Sequence, residues 1–213
     1  MRTEDLIRDL SADLQKVTPG AVAGRIALGL GLGGAASAAL MLIWLGPRPD
    51  LGAALATPMF WMKLGYAAAT GLIAALLLVR VARPAARPGA LVAAAAAPFA
   101  VVALMAAVRL AQAPPDLRPA LMMGHTAPHC PWRILAIGLP VLAGAVWAVR
   151  GLAPTRLGLA GLAAGLSAGG LGAAIYAIAC DETSAPFLAI WYTAGIAALS
   201  VAGVAVSRLL RWR

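Results

Sequence analysis

The sequence is poor in charged residues, which make up only 12% of its 213 positions. A water-soluble domain carries about 25% charged residues, so this chain lacks the charge to cover a water-facing surface. Hydrophobic residues instead make up 62% of the chain, and they occur in long runs separated by clusters of Arg and Pro. This pattern is typical of a polytopic helical membrane protein embedded in a lipid bilayer.

The apolar runs predict an all-α fold with six membrane-spanning helices. The predicted spans cover residues 26–45, 59–79, 90–109, 134–149, 157–179 and 187–206. Most are close to the about 20 residues that a helix needs to cross the hydrocarbon core. We therefore divide the chain into a short cytoplasmic amphipathic segment, residues 1–20, and a six-helix transmembrane domain, residues 21–213.

Positive charge is distributed unevenly between the predicted loops. If both termini lie in the cytoplasm, most of the 17 Lys and Arg residues fall on the inner side, as the positive-inside rule requires. This asymmetry accounts for the net charge of +9 without a direct nucleic-acid partner. Acidic residues are absent from the middle of every predicted span, and this disfavours a proton pump or cation transporter.

The N-terminal segment carries one apolar stripe at helical spacing. The stripe consists of Leu6, Ile7, Leu10, Leu14 and Val17. Either it lies on the membrane surface or against the bundle, or a cytoplasmic protein binds it in a groove. The largely acidic opposite face argues against anionic lipid, since helices that bind such surfaces usually carry Lys and Arg there.

Cysteine is rare, and the only two, Cys130 and Cys180, lie at the outer ends of the fourth and fifth predicted spans. A short inner loop joins these spans, so we expect the two thiols to come close. Neither cysteine belongs to a CxxC motif, which disfavours a disulfide-generating oxidoreductase. A structural disulfide, a regulated thiol pair and a metal site remain open.

Polar residues beside the cysteines are candidate supporting residues. They are His125, His129, Asp181 and Glu182. In the metal interpretation the first ligands would be Cys130, Cys180 and His129, which are soft and borderline donors. In the redox interpretation a protonated His129 would raise the reactivity of Cys130.

Two glycine motifs resemble those of enzymes, but their context is wrong. Residues 29–34 spell GxGxxG without a preceding strand, and residues 165–169 spell GxSxG inside a predicted span. We predict neither an enzyme nor a bound cofactor. The glycines of span five repeat at the three- and four-residue steps that allow close helix packing in lipid. They are Gly158, Gly161, Gly165, Gly169 and Gly172.

Several short features, taken in order, resemble the six-span "negative regulator of sigma" membrane anti-sigma factors. They are the start Met1–Leu10, Cys130 in the third-to-fourth loop, the Ala153-Pro154 turn, the glycine-rich fifth span, Cys180-Asp181-Glu182, Phe187 with Trp191-Tyr192, and the ending Leu209–Trp212. The resemblance extends over essentially the whole chain.

The resemblance implies a function. Proteins of that family hold an extracytoplasmic-function sigma factor at the bacterial inner membrane through their N-terminal segment. Oxidative or heavy-metal stress, sensed through Cys130 and Cys180, releases the sigma factor. The apolar stripe would be the sigma contact, and the inner loops 80–87 and 150–156 could add to it. The alternatives are a small transporter or channel, and a quinone-linked thiol oxidoreductase.

Overall fold

A computed structural model describes residues 2–12, 20–84 and 88–210. Within these residues, six helices are long and apolar enough to cross a membrane. They are α2 (Ala21–Trp44), α4 (Pro58–Val81), α5 (Gly89–Gln112), α7 (Cys130–Arg150), α8 (Leu157–Tyr176) and the last span (Ala185–Leu210). The described residues form no strand, and the predicted six-span helical class is confirmed.

The remaining elements are short. In the described part of the chain, three helices lie outside the spans: α1 (Thr3–Ala12), α3 (Leu51–Leu55) and α6 (Arg118–Met123). The last span is not uniform. It consists of α9 (Ala185–Phe187), a π-helical turn (Leu188–Tyr192), α10 (Thr193–Ala205) and a 3₁₀ turn (Val206–Leu210).

The observed spans differ from the predicted ones at their ends, for local reasons. The fourth begins at Cys130 rather than residue 134 because Pro131 occupies the first turn, where its fixed φ suits a helix start. Cys130 is therefore a helical residue and not a loop residue. The fifth span ends at Tyr176 rather than residue 179. The Cys180 N–H donates a hydrogen bond to the Tyr176 carbonyl at 3.0 Å.

Helix α8 lies at the centre of the bundle and contacts α2, α4, α7 and α10. Burial reaches 61% in its most apolar stretch but only 22% in α5, which is peripheral. Glycines allow this central position. An added Cβ would collide with a neighbouring backbone at Gly161, Gly165, Gly169, Gly170 and Gly172. The packing prediction is confirmed for four glycines; it is wrong for Gly158, which faces open space, and it missed Gly170.

The two ends of the bundle differ in what they carry. At one end α7 begins at Cys130 and Cys180 follows α8; we call this the thiol end. At the other end α2 begins, and polar contacts join α2 and the last span to the end of α7. Arg25 Nε donates to the Ala148 carbonyl at 2.8 Å, and Arg150 Nε donates to the Leu209 carbonyl at 3.0 Å.

Candidate functional site

Both cysteines are free thiols buried in the same cluster of packed side chains. Cys130 is 0% exposed and Cys180 is 2% exposed. The antiparallel arrangement of α7 and α8 brings the start of one helix beside the end of the other, as the sequence predicted. The thiols are therefore shielded from water, and neither is bonded to another sulfur atom.

Lys63 is the principal site residue that sequence reasoning missed. It lies in the second turn of α4, is only 1% exposed, and reaches the segment after α8. Its Nζ donates to the Cys180 carbonyl at 2.7 Å and to the Glu182 carbonyl at 3.0 Å. A lysine inside an apolar span was the available signal, because charged residues at such positions are costly and usually functional.

Glu182 joins the segment after Cys180 to the segment before Cys130. Its carboxylate is buried, and Oε1 accepts the backbone N–H groups of His125 at 2.6 Å and Thr126 at 2.8 Å. The Thr126 hydroxyl donates to the same oxygen at 3.0 Å. Gly124 has φ +52°, and a Cβ there would strike the Glu182 carboxylate. Glycine is thus required at this turn for two reasons.

Arg48 connects a third loop, the one that contains it, to the segment after α8. Its guanidinium forms a two-fold contact with Asp50, with Nε–Oδ1 at 2.6 Å and Nη2–Oδ2 at 2.7 Å, and Nη1 donates to the Cys180 carbonyl at 3.3 Å. The hydrogen bond from Arg48 holds the pKa of the exposed Asp50 carboxyl below its usual value. The Cys180 carbonyl therefore accepts hydrogen bonds from two cations, Lys63 and Arg48.

The other predicted supporting residues do not join the buried cluster. The side chains of His125, His129 and Asp181 are exposed to solvent. Within residues 2–12, 20–84 and 88–210, no group of three or more His, Cys, Asp or Glu side chains could hold a metal ion. The set Cys130, Cys180 and His129 is therefore not assembled as a three-ligand site in this structure.

Helix α1 presents the described part of the predicted apolar stripe to solvent. Leu6 is 41% exposed and Ile7 is 61% exposed. Glu4 and Asp5 lie in the first turn of this helix, where negative charge complements the helix dipole. The side chain of Leu10, and residues Leu14 and Val17, lie outside the described part of the chain.

Apparent enzyme motifs are explained by helix packing. The Ser167 hydroxyl donates to the Ala163 carbonyl of its own helix at 2.7 Å and is fully buried. In the GxGxxG sequence, Gly29 packs against Gly144 of α7, whereas Gly31 and Gly34 line an apolar groove. Neither motif is part of a strand-to-helix turn.

The fold and this site define a polytopic helical membrane-type protein with two free thiols buried at one end of its bundle. The chain belongs to the protein family described as "Negative regulator of sigma F", which it matches over residues 10–212. The predicted resemblance is confirmed.

Two curated relatives match over the full length of both chains. The "Anti-sigma-F factor NrsF" of Caulobacter vibrioides (strain NA1000 / CB15N) is 45% identical over 217 residues. The "Probable anti-sigma-F factor NrsF" of Azospira oryzae (strain ATCC BAA-33 / DSM 13638 / PS) is 39% identical over 213 residues. No solved structure matches the chain.

Proposed function

We propose that this protein is a membrane-embedded anti-sigma factor that sequesters an extracytoplasmic-function sigma factor and releases it when its cysteine pair is modified. The observation that carries the proposal is the full-length similarity to relatives named as anti-sigma-F factors. Its role is regulatory and not enzymatic, and its partner is the sigma factor itself, with no direct nucleic-acid contact.

Helix α1 is the proposed sigma contact. An apolar stripe in water is unfavourable in proportion to the apolar area that it exposes, and Leu6 and Ile7 are exposed here. Docking of such a stripe into a groove of a partner would remove that area from water. Leu10, Leu14 and Val17 would extend the same stripe.

The cysteine pair is the proposed sensor. A hydroperoxide can oxidise the two thiols: a disulfide forms between Cys130 and Cys180, the peroxide O–O bond breaks, and the two thiol protons leave in one alcohol and one water. The disulfide requires an S–S separation of about 2.05 Å, which fixes the start of α7 to the segment after α8. Capture of a thiophilic metal ion by the two sulfur atoms is the other trigger, and it would need only two ligands.

Tight packing offers a route from the thiols to the sigma contact. Helix α8 contacts its neighbours through glycines that leave no space for a side chain, so a displacement at its end cannot be absorbed locally. Helix α2, which follows α1 in the chain, contacts both α7 and α8. Release follows only if the sigma factor binds the protein with reduced thiols more tightly than the protein with modified thiols.

The proposed location is the bacterial inner membrane, with both termini in the cytoplasm and the thiol end facing the periplasm. Two exposed positions test this orientation in a background without Cys130 and Cys180. An impermeant maleimide should label His129→Cys in intact cells, and should label Arg156→Cys only after the inner membrane is opened. The reverse pattern would place the thiol end in the cytoplasm and remove the basis for periplasmic sensing.

Identification of the partner tests the function itself. The intact protein is purified from its own membranes in mild detergent, and co-purifying proteins are identified by mass spectrometry with and without hydrogen peroxide treatment. We expect a sigma factor in the untreated sample and its loss after treatment. The Cys130→Ser/Cys180→Ser variant should retain the sigma factor in both samples. Absence of any sigma factor from the untreated sample would contradict the proposal.

A further inference from the structure

Two tyrosines at the thiol end have buried hydroxyl groups without hydrogen-bond partners. Tyr176 ends α8 and Tyr192 ends the π-helical turn; they are 1% and 0% exposed. Neither hydroxyl is paired with any polar atom in the described part of the chain. Unpaired buried polar groups are rare and costly, and each one calls for an explanation.

A third tyrosine shows that the fold can satisfy such a group. The Tyr66 hydroxyl lies 2.8 Å from the Thr193 hydroxyl, although Tyr66 is also buried. Tyr192 and Thr193 are adjacent in the chain. Thr193 pairs with the Tyr66 hydroxyl, whereas the Tyr192 hydroxyl has no partner in the described part of the chain. The lack of partners at Tyr176 and Tyr192 is therefore specific to their position.

The backbone around Tyr192 is also irregular. A π-helical turn spans Leu188–Tyr192 within the last span, and such turns occur frequently at functional sites because they redirect side chains. The rings of Tyr192 and Tyr176 have centroids 5.8 Å apart and are inclined by 36°. Tyr192, at the end of the irregular turn, therefore lies beside Tyr176.

Both phenols adjoin the two thiols and nearby positive charge. Tyr176 and Tyr192 belong to the same buried cluster as Cys130 and Cys180, with the Tyr192 hydroxyl beside the Cys180 thiol and Tyr176 close to Arg133. Lys63 Nζ lies 6.0 Å from the centroid of the Tyr192 ring. Two phenol O–H groups and two cations therefore lie in the neighbourhood of the thiols.

We propose that Tyr176 and Tyr192 are positioning residues of the sensor, whose hydroxyls donate hydrogen bonds to the cysteine sulfur as it gains negative charge during reaction. A protonated thiol is a weak acceptor, so the donors stay unused at rest. In attack on a hydroperoxide the O–O bond breaks, the sulfur keeps the distal OH as a sulfenic acid, and the thiol proton passes to the other oxygen, which leaves as an alcohol (as water when the oxidant is hydrogen peroxide). The second thiol then displaces water to form the disulfide.

This inference rests on the proposed sensor role, but its test needs no sigma factor. The full-length protein in lipid nanodiscs is treated with hydrogen peroxide, and loss of free thiol is followed by mass spectrometry. A parallel sample is treated with iodoacetamide, which reports sulfur reactivity without disulfide formation. The variants are Tyr176→Phe and Tyr192→Phe, which keep each ring and remove only its hydroxyl.

We expect each variant to react about tenfold more slowly with both reagents, which corresponds to loss of about 1.4 kcal/mol of stabilisation. The unfolding temperature should stay the same or rise, because each variant removes an unpaired buried hydroxyl. The control, Tyr66→Phe, loses a paired hydroxyl; it should unfold at a lower temperature and react at the unsubstituted rate.

Rates within twofold of the unsubstituted protein in both variants would overturn the inference, as would thiols that are inert to both reagents before substitution. Failure of the sigma-release function gives a different result. In that case the rates fall as expected while peroxide leaves the bound sigma factor in place.

Discussion

The thiol end and helix α1 are built in opposite ways. At the thiol end, Lys63, Glu182 and Arg48 are buried and hydrogen-bonded to backbone groups far away in the chain. In α1 the apolar side chains of Leu6 and Ile7 are exposed. A buried polar network is sensitive to any change in its geometry, whereas an exposed apolar stripe is suited to a partner. In the proposed function the thiol end detects the signal and helix α1 binds the sigma factor.

The largest expected effect comes from the exposed region. The double substitution Leu6→Asp/Ile7→Asp places two charges on the apolar stripe. Interface anchors contribute about 2 kcal/mol or more each, so loss of two anchors, about 4 kcal/mol, should lower sigma affinity roughly 700-fold. Titration of the sigma factor against the protein in nanodiscs measures this loss.

The matched control adds one charge to the polar face of the same helix. Ala12 is exposed and lies away from the stripe, so Ala12→Asp should change sigma affinity by less than about twofold if the stripe alone is the contact. Equal losses in the control and the double variant would mean that charge, and not the stripe, governs binding.

The central helix should tolerate no added side chain where its glycines meet a neighbouring backbone. Gly165→Val forces a side chain against the backbone of Leu199 and Ser200. Overpacking of this kind costs about 1–3 kcal/mol or more, and the thermal unfolding temperature in detergent should drop accordingly. Gly158→Val, in the first turn of the same helix, meets open space and should unfold close to the unsubstituted temperature. Similar losses in both variants would show that the close contacts of α8 are not what stabilises it.

A smaller but graded effect is expected at Glu182. Glu182→Ala leaves three donors of the 125–126 segment without their acceptor, and we expect a loss of about 2–3 kcal/mol in unfolding free energy. Glu182→Gln keeps an acceptor oxygen but loses the charge, so roughly half of that loss should remain. The exposed neighbour Asp181→Ala should change stability by less than about 0.5 kcal/mol. Equal free energies of unfolding for all three variants, measured by chemical unfolding, would show that Glu182 does not contribute to the network.

Sequence patterns predicted what depends on local composition. Span number and the helical form of α1 follow from hydropathy and periodicity, and the central position of the fifth span follows from Gly161, Gly165, Gly169 and Gly172. Contacts between particular residues that are distant in the chain were harder to predict from the sequence. The role of Lys63 could not be predicted because its acceptors, the carbonyls of Cys180 and Glu182, are more than a hundred positions away.

The polar neighbours of the cysteines show the same limit. Proximity in sequence grouped His125, His129, Asp181 and Glu182, yet only Glu182 is turned inward. Adjacent residues of a turn point in different directions, so composition alone cannot assign a side chain to a site. Aromatic residues near a span end suggest an interfacial belt, so the sequence does not identify Tyr176 and Tyr192 as neighbours of the thiols.

The most direct test of coupling between the two regions is the affinity of the sigma factor for reduced and for oxidised protein in the same nanodiscs. Formation of the Cys130–Cys180 disulfide should weaken binding by roughly 150-fold, equivalent to a coupling of about 3 kcal/mol. The Cys130→Ser/Cys180→Ser variant should bind as the reduced protein does under both conditions. Equal affinity of the reduced and oxidised forms would contradict the account.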